Sequence, residues 1–244
     1  MTSRSQNTKG IIYRTYNSGA TDKVVSILDE SGKKVVAIAK GVKKQNSRKA
    51  HSIEIGNLIK ASMISGYATP LITEVNLLNE FAKWKTDLKS ITTLQFICEI
   101  IDNFSFEENP DPHIYLIFNE ILNTEPSKIT LILSYFIIKV LEASGNLPEI
   151  NYYVNTGDPI VVGEGYFSED AIGYVTQDAA SQNNKVNPLI YKSQRFLLNS
   201  TLKNALRLDL TEELSNSMFR IHLNWLSQVL GKKLKSIDLL MKSI

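Results

Sequence analysis

Apolar residues alternate with polar ones at a spacing of two through the first 80 positions, then recur at spacings of three and four. The first rhythm marks half-buried strands and the second marks amphipathic helices. Residues 10–17 form a strand-like run that ends at the turn signal Ser18-Gly19. Val24, Val25, Ile27 and Leu28 form a second run, closed by Glu30-Ser31-Gly32, where Gly32 suits a hairpin turn. Val35, Val36, Ile38 and Ala39 form a third. Residues 43–50 are polar and basic. Ile53, Ile55, Leu58, Ile59 and Met63 then resume the alternation as far as a turn at Gly66. Leu71, Thr73, Val75 and Leu77 share one face of a fifth run over 70–78. Five short strands, with a non-strand insert between the third and fourth, predict a small closed barrel, because closure removes sheet edges.

The helical rhythm starts at Ile91 and continues through Leu94, Phe96, Ile97, Ile100 and Ile101 to Phe104. Asn109-Pro110-Asp111-Pro112 interrupts it. A helix over 113–123 follows, with Ile114, Ile117, Phe118, Ile121 and Leu122 on one face. Thr124-Glu125-Pro126-Ser127 opens another, with Thr or Ser as cap and Pro in the first turn. That helix is apolar nearly all round, which predicts the deepest burial, and Gly145 is its expected stop. Residues 146–185 lack long apolar runs and carry Gly157, Gly163, Gly165 and Gly173, which predicts a loop-rich or small β insert. Asn187-Pro188 opens the last helical section. Its amphipathic stretch over 208–231 runs through Leu210, Leu214, Met218, Ile221, Leu223, Trp225, Leu226 and Leu230, and a short helical turn over 237–241 follows.

Composition narrows the class. With 43% hydrophobic and 21% charged residues over 244 positions, the chain is neither disordered nor fibrous. Cys98 is the one cysteine, which excludes a disulfide scaffold and a cysteine-only metal site. The polar start has no apolar core of the kind a secretory signal needs. The most apolar stretch, 129–141, is interrupted by Ser134 and Lys139 and falls short of the roughly 20 apolar residues of a membrane span. No membrane association is expected.

Charge is divided unevenly. The net charge of +2 is the sum of +6 on residues 1–80 and −4 on the remaining 164. A basic first third fits an anionic partner, and it equally fits a solvated lysine-rich surface.

Catalytic patterns are missing. His51, His113 and His222 are far apart and have no ligand spacing, so each is expected to be a surface or satisfied core histidine. Gly231-Lys232 ends a helix where a phosphate loop would open one. Gly163-Glu164-Gly165 lacks the strand–turn–helix setting of a dinucleotide site. Ser31-Gly32-Lys33-Lys34 lies on the expected hairpin turn. Glu107-Glu108 and Glu212-Glu213 are adjacent acidic pairs, the second in a helix first turn where carboxylates suit the dipole. Cys98 sits on an apolar helix face and reads as core.

The informative segment is Ala39-Lys40-Gly41-Val42-Lys43-Lys44-Gln45-Asn46-Ser47-Arg48, just after the third strand. With Lys49 it gathers five cations within ten residues and no acid, and Gly41 permits a bend. Clustered Lys and Arg bind phosphates, with counterion release supplying the affinity. Small five-stranded barrels bind single strands across one face and its loops. Tyr13, Tyr16 and Tyr67 can stack bases there, or can be half-buried strand tyrosines.

These residues carry a resemblance. Lys9-Gly10-Ile11-Ile12-Tyr13-Arg14-Thr15-Tyr16 followed by Gly19-Ala20-Thr21-Asp22-Lys23-Val24-Val25 resembles the start of the RecO family of bacterial recombination mediators. The segment from Ala39 to Arg48 is similar to that family's Lys-Gly-basic-Ser stretch. Leu230-Gly231-Lys232-Lys233-Leu234-Lys235-Ser236 is similar to its Leu-Gly-basic-Leu-basic-Ser end. The order of parts also fits along essentially the whole chain. The resemblance implies an α+β multi-domain protein. Residues 1–79 would be an OB-fold five-stranded β-barrel, 80–145 and 186–244 an α-helical domain, and 146–185 a small Gly-rich insert. It implies a non-enzymatic DNA repair and recombination mediator, without cofactor, in the bacterial cytoplasm and nucleoid-associated. Such a mediator binds single- and double-stranded DNA, anneals complementary strands and works with RecR. It engages the acidic C-terminal tail of the single-stranded DNA-binding protein and so assists RecA loading on coated strands. The expected DNA-binding residues are Arg14, Lys23, Lys40, Lys43, Lys44, Arg48 and Lys49, joined by the tail residues Lys232, Lys233 and Lys235, which can instead cap the preceding helix. The competing reading is a protein–protein adaptor whose barrel does not bind DNA.

One departure from the family is clear. Many members carry a C-x-x-C…C-x-x-C zinc module in the insert. Here Tyr153, Thr156, Thr176 and Ala179 stand at those positions. A structural zinc site needs four suitable ligands, so a metal-free insert held by Tyr152, Tyr153, Tyr166, Phe167 and Tyr174 is expected.

Overall fold

In the computed structural model residues 4–65, 68–104, 110–180 and 185–244 are described. The expected turn at Gly66, the candidate stacking residue Tyr67, the Glu107-Glu108 pair and Asn109 lie outside the described residues. The chain divides into two compact units, residues 1–126 with 238–243, and residues 127–237. These units are cut differently from the three expected segments, because the barrel takes two long helices and the last helix into its own unit.

The first unit opens with five strands: β1 (Arg4–Ser18), β2 (Asp22–Asp29), β3 (Lys34–Ala39), β4 (Leu58–Ser65) and β5 (Leu71–Asn79). They pair in the order β1–β2–β3–β5–β4 and return to β1, so the sheet closes on itself. All pairings are antiparallel except β3 with β5, a parallel seam at Ile38 and Leu71. This is the Greek-key order of a five-stranded OB barrel. β1 starts at Arg4, earlier than the expected residue 10, because it serves two neighbours. Its first half pairs with β4 and its second half with β2. Gly10 lies at the crossover, opposite both Asp29 and Ile59. A Cβ there would sit 2.3 Å from the Leu28 carbonyl oxygen, so the close approach of β2 requires glycine.

The barrel interior is built from Ile12, Val25, Ile27, Val35, Ala37, Ala39, Ile59, Ala61, Met63 and Ile72. Ile53 was expected in the fourth strand, but β4 begins at Leu58. Residues 40–57 instead form a chain of turns in which Val42 and Ile53 are buried in the barrel core and Ala50 packs against it. A local shift in register between Ile12 and Arg14 leaves Ile11, Ile12 and Tyr13 all buried in succession. A bulge of this kind breaks the alternation that sequence reasoning relies on.

After the barrel, a 3-10 turn over Ala82–Lys85 leads into α1 (Leu88–Phe104) and α2 (Pro112–Leu122). The α2 helix starts at Pro112 with Asp111 as cap, whose carboxylate accepts from His113 N–H at 2.9 Å. The short α7 (Ile237–Ser243) joins this unit, with Ser243 Oγ 2.7 Å from Thr92 Oγ1.

The second unit holds α3 (Ile129–Ala143), the insert with strands β6 (Tyr166–Ser168) and β7 (Gly173–Val175), then α4 (Pro188–Leu198), α5 (Leu202–Ala205) and α6 (Glu212–Leu230). The α3 helix is apolar nearly all round and is the unit's core, as its sequence predicts. Its cap is neither Thr nor Ser. Lys128 stands there at φ 47° without a side-chain cap bond, and its ammonium instead donates to the Leu206 and Leu208 carbonyls. The helix ends as expected at Gly145, with Asn146 N–H donating to Leu141 O and Gly145 N–H to Glu142 O. The α6 helix begins at Glu212, later than expected, because the Thr211 hydroxyl caps it by accepting from Leu214 N–H.

Candidate nucleic-acid interface

The basic segment follows directly from β3. Gly41 turns the chain at φ +69°, a left-handed conformation that favours glycine. Its N–H donates to Asp22 Oδ1 at 2.8 Å, and Lys43 N–H donates to the Thr21 carbonyl at 2.9 Å. The segment is thereby tied to the β1–β2 turn. The Gly41 N–H, and after it the Thr21 hydroxyl, hold the Asp22 carboxyl below its ordinary range, with Lys40 and Lys44 contributing less. Asp22 is therefore committed to the backbone it organises. The far end of the segment is fixed by Asn57, which is fully buried. Its amide donates to the His51 and Ser52 carbonyls, and its side-chain oxygen accepts from the Lys85 ammonium. Burial pushes the Lys85 pKa down, as expected for a cation recruited into a structural role.

This scaffold presents Lys40, Lys43, Lys44 and Arg48 on the surface, and Lys23 half-exposed at the start of β2 opposite Ala39. Among the described residues none of these five forms an ion pair with a carboxylate. They lie at the β1–β2 turn end of strands β2 and β3, the region where OB barrels take up oligonucleotides. Two other expected residues are engaged. Lys49 donates to the Ile72 carbonyl at 3.1 Å, across to β5. Arg14 pairs with Asp102 of α1 at 2.5 Å. Lys232, Lys233 and Lys235 are exposed in the turn after α6, in the other compact unit.

The tyrosines separate cleanly. Tyr13 is buried, so base stacking by its ring is ruled out by packing. Tyr16 is 50% exposed on β1, with the Arg14 guanidinium 5.7 Å from its ring centre.

In the second unit, histidine chemistry is absent from the surface. His222 is fully buried and linked to Gln194 at 3.1 Å, and Gln194 accepts in turn from the Tyr174 hydroxyl. Burial pushes the His222 pKa down to about 3, and the Ser134 backbone opposes this only in part. His51 and His113 are exposed and lie beside Glu80 and Asp111. Cys98 is buried and its thiol pKa is pushed up, so it is inert core. A groove of about 440 Å³ lies between the insert, α4 and α6. Phe167, Ile190 and Ile221 supply apolar wall, and Lys185 and Arg220 stand at its lip together with Glu169 and Glu213.

The insert does not fit zinc. Tyr153, Thr156, Thr176 and Ala179 offer no thiolate or imidazole, and among the described residues no group of three His, Cys, Asp or Glu side chains could hold a metal. The two turns that would face a metal are joined by hydrogen bonds instead. Asn155 Nδ2 donates to Thr176 Oγ1 at 2.7 Å, Thr176 N–H donates to Asn155 Oδ1 at 3.2 Å, and Val154 N–H donates to Tyr174 O at 2.8 Å. Tyr153, Phe167 and Tyr174 are buried as expected. Tyr166 is half-buried, and Tyr152 is 48% exposed, with a strand-like bridge to Pro159.

Asp102 and Lys34 were not signalled by the sequence. Asp102 receives both Arg14 and Lys34, and so clamps β1 and β3 to α1. Asp102 and Arg14 are 88 positions apart, and no local pattern joins them.

Comparison with known proteins agrees with this geometry. Residues 1–81 match the family profile described as Recombination protein O N terminal, and residues 85–238 match Recombination protein O C terminal. A protein of Clostridium perfringens strain 13 named DNA repair protein RecO is 27% identical over 238 residues, covering 95% of each chain. One of the same name from Dehalococcoides mccartyi strain 195 is 24% identical over 217 residues, covering 86% of this chain and 85% of its own. Another, from Clostridium perfringens strain SM101, is 28% identical over 221 residues, covering 88% and 96%.

Proposed function

The chain belongs to the RecO family, and from that premise we propose that it is a non-catalytic DNA repair and recombination mediator whose barrel binds DNA. The observation that carries this reading is the acid-free basic segment at the turn end of β2 and β3, with Lys40, Lys43, Lys44 and Arg48 exposed and unpaired among the described residues. These residues, with Lys23, hold the phosphate backbone and leave the bases free to pair. Two strands whose charge is neutralised meet more readily, which favours annealing. Tyr16 offers one stacking face beside them.

The finer part of the reading concerns partners. We propose that the protein binds single- and double-stranded DNA and engages the acidic tail of the single-stranded DNA-binding protein. With RecR it assists RecA loading in the bacterial cytoplasm. Such a tail needs an apolar groove with a cation at its lip, and the groove lined by Lys185 and Arg220, with Glu169 and Glu213, in the second unit is a candidate for it. Among the described residues no helix is long and apolar enough to cross a membrane. The test is annealing of complementary oligonucleotides with and without the cognate single-stranded DNA-binding protein. Annealing that persists on coated strands supports the mediator role. Retention of partner protein without any annealing or DNA retention supports the adaptor reading instead.

A further inference from the structure

We propose that Asp102 sets the DNA affinity of the barrel by holding Arg14, and that Arg14 exchanges this carboxylate for a phosphate when a strand lies along β1. The inference rests on the DNA-binding reading given above. Asp102 is a single carboxylate shared by two cations, Arg14 at 2.5 Å and Lys34 at 3.0 Å. Either cation alone neutralises it, so one can leave without orphaning the acid. Arg14 is the one free to go. Its side chain is 55% exposed against 25% for Lys34. An ion pair this exposed is cheap to open. The guanidinium has five donors and keeps spare ones even while paired, and it matches phosphate in a two-pronged fork.

The surroundings prepare the exchange. The Tyr16 ring lies under Arg14 at 5.7 Å and gives the guanidinium a surface to pivot on. Arg14 is three residues along β1 from Asn17, the partner of Lys23. At about 3.4 Å per residue that is roughly 10 Å from the basic turn end. A strand held by the segment over 40–48 and continuing past Tyr16 reaches Arg14 next. Lys34 stays with Asp102 and keeps α1 clamped to the barrel while Arg14 moves.

The experiment titrates a labelled single-stranded oligonucleotide into wild type, Asp102→Asn, Arg14→Gln, the double variant and Glu30→Gln at several salt concentrations. Glu30 pairs with Lys9 and serves as the control for losing one acid. Asp102→Asn is expected to bind up to about fivefold more tightly, the range of an exposed ion pair. That gain disappears in the Arg14→Gln background. Arg14→Gln alone flattens the salt slope by about 0.7, one phosphate contact on a single strand. A gain in affinity cannot come from misfolding. Unchanged affinity in Asp102→Asn, a gain that survives Arg14→Gln, or an equal gain in Glu30→Gln overturns the inference. Lys43→Glu/Lys44→Glu measured alongside separates the two levels. If it weakens binding while Asp102→Asn does nothing, the inference alone fails; if it too has no effect, the DNA-binding reading fails with it.

Discussion

His222 is expected to make the second unit lose stability in mild acid. The imidazole is fully buried and accepts from the Gln194 amide at its Nε2, so a proton placed there would face a donor and no water. Its folded pKa is pushed down to about 3, against about 6.5 in the unfolded chain. The sign follows from which state takes the proton. Below pH 6.5 the unfolded chain is protonated and the folded one is not, so stability falls as pH drops, until the folded imidazole titrates as well. With about 1.4 kcal/mol per pH unit, the loss from this group is roughly 2 kcal/mol at pH 5 and roughly 3 kcal/mol at pH 4. That is a large part of a typical domain's stability. The assay is urea unfolding of wild type and His222→Gln at pH 7.5 and pH 5. Comparing the two proteins cancels the other titrating groups. The variant is destabilised at pH 7.5 by repacking, yet its further loss at pH 5 should be about 2 kcal/mol smaller than that of wild type. Equal losses in the two proteins would refute the assignment of a buried neutral imidazole.

Other outcomes follow from packing. Gly10→Ala places a Cβ 2.3 Å from the Leu28 carbonyl oxygen, where β1 passes from β4 to β2; thermal unfolding should show a loss on the order of 2 kcal/mol, as for overpacked interiors. Asn155→Ala removes both side-chain bonds to Thr176, and hydrogen exchange at Thr176 and Val154 should quicken severalfold, whereas a chelator should leave wild-type exchange unchanged. Ile53→Ala should cost about 2–5 kcal/mol in denaturant unfolding, because Ile53 is a barrel plug and not a strand residue.

The barrel was legible because its strands obey the two-residue rhythm, and the Greek-key order is the way five such strands close. The basic segment was legible because charge clustering survives in the linear chain. What escaped has a physical reason in each case. Tyr13 reads as either a stacking residue or a half-buried strand tyrosine, and the bulge that leaves it fully buried is not visible in the sequence. Ile53 carries an apolar signal that a strand and a plug share. The α3 cap escaped because Lys128 satisfies the distant carbonyls of Leu206 and Leu208 in place of its own first turn. Asp102 and the Asn155–Thr176 pair depend on residues far apart in sequence or on turns with no periodicity. The missing zinc ligands were plain from the single cysteine, but the hydrogen bonds that join the two turns were not.

The central claim is that the exposed cations after β3 hold the DNA backbone. Its most direct test is the salt dependence of oligonucleotide binding by wild type and Lys43→Glu/Lys44→Glu. Both lysines are exposed and unpaired among the described residues, so the variant keeps the fold. The five cations at this end of the barrel, Lys23, Lys40, Lys43, Lys44 and Arg48, contribute about −3.5 to the slope for a single strand, and removing two leaves about −2.1. Between 50 and 200 mM salt these contacts cost wild type roughly 130-fold in affinity and the variant roughly 18-fold. Identical slopes and affinities in the two proteins would contradict the account.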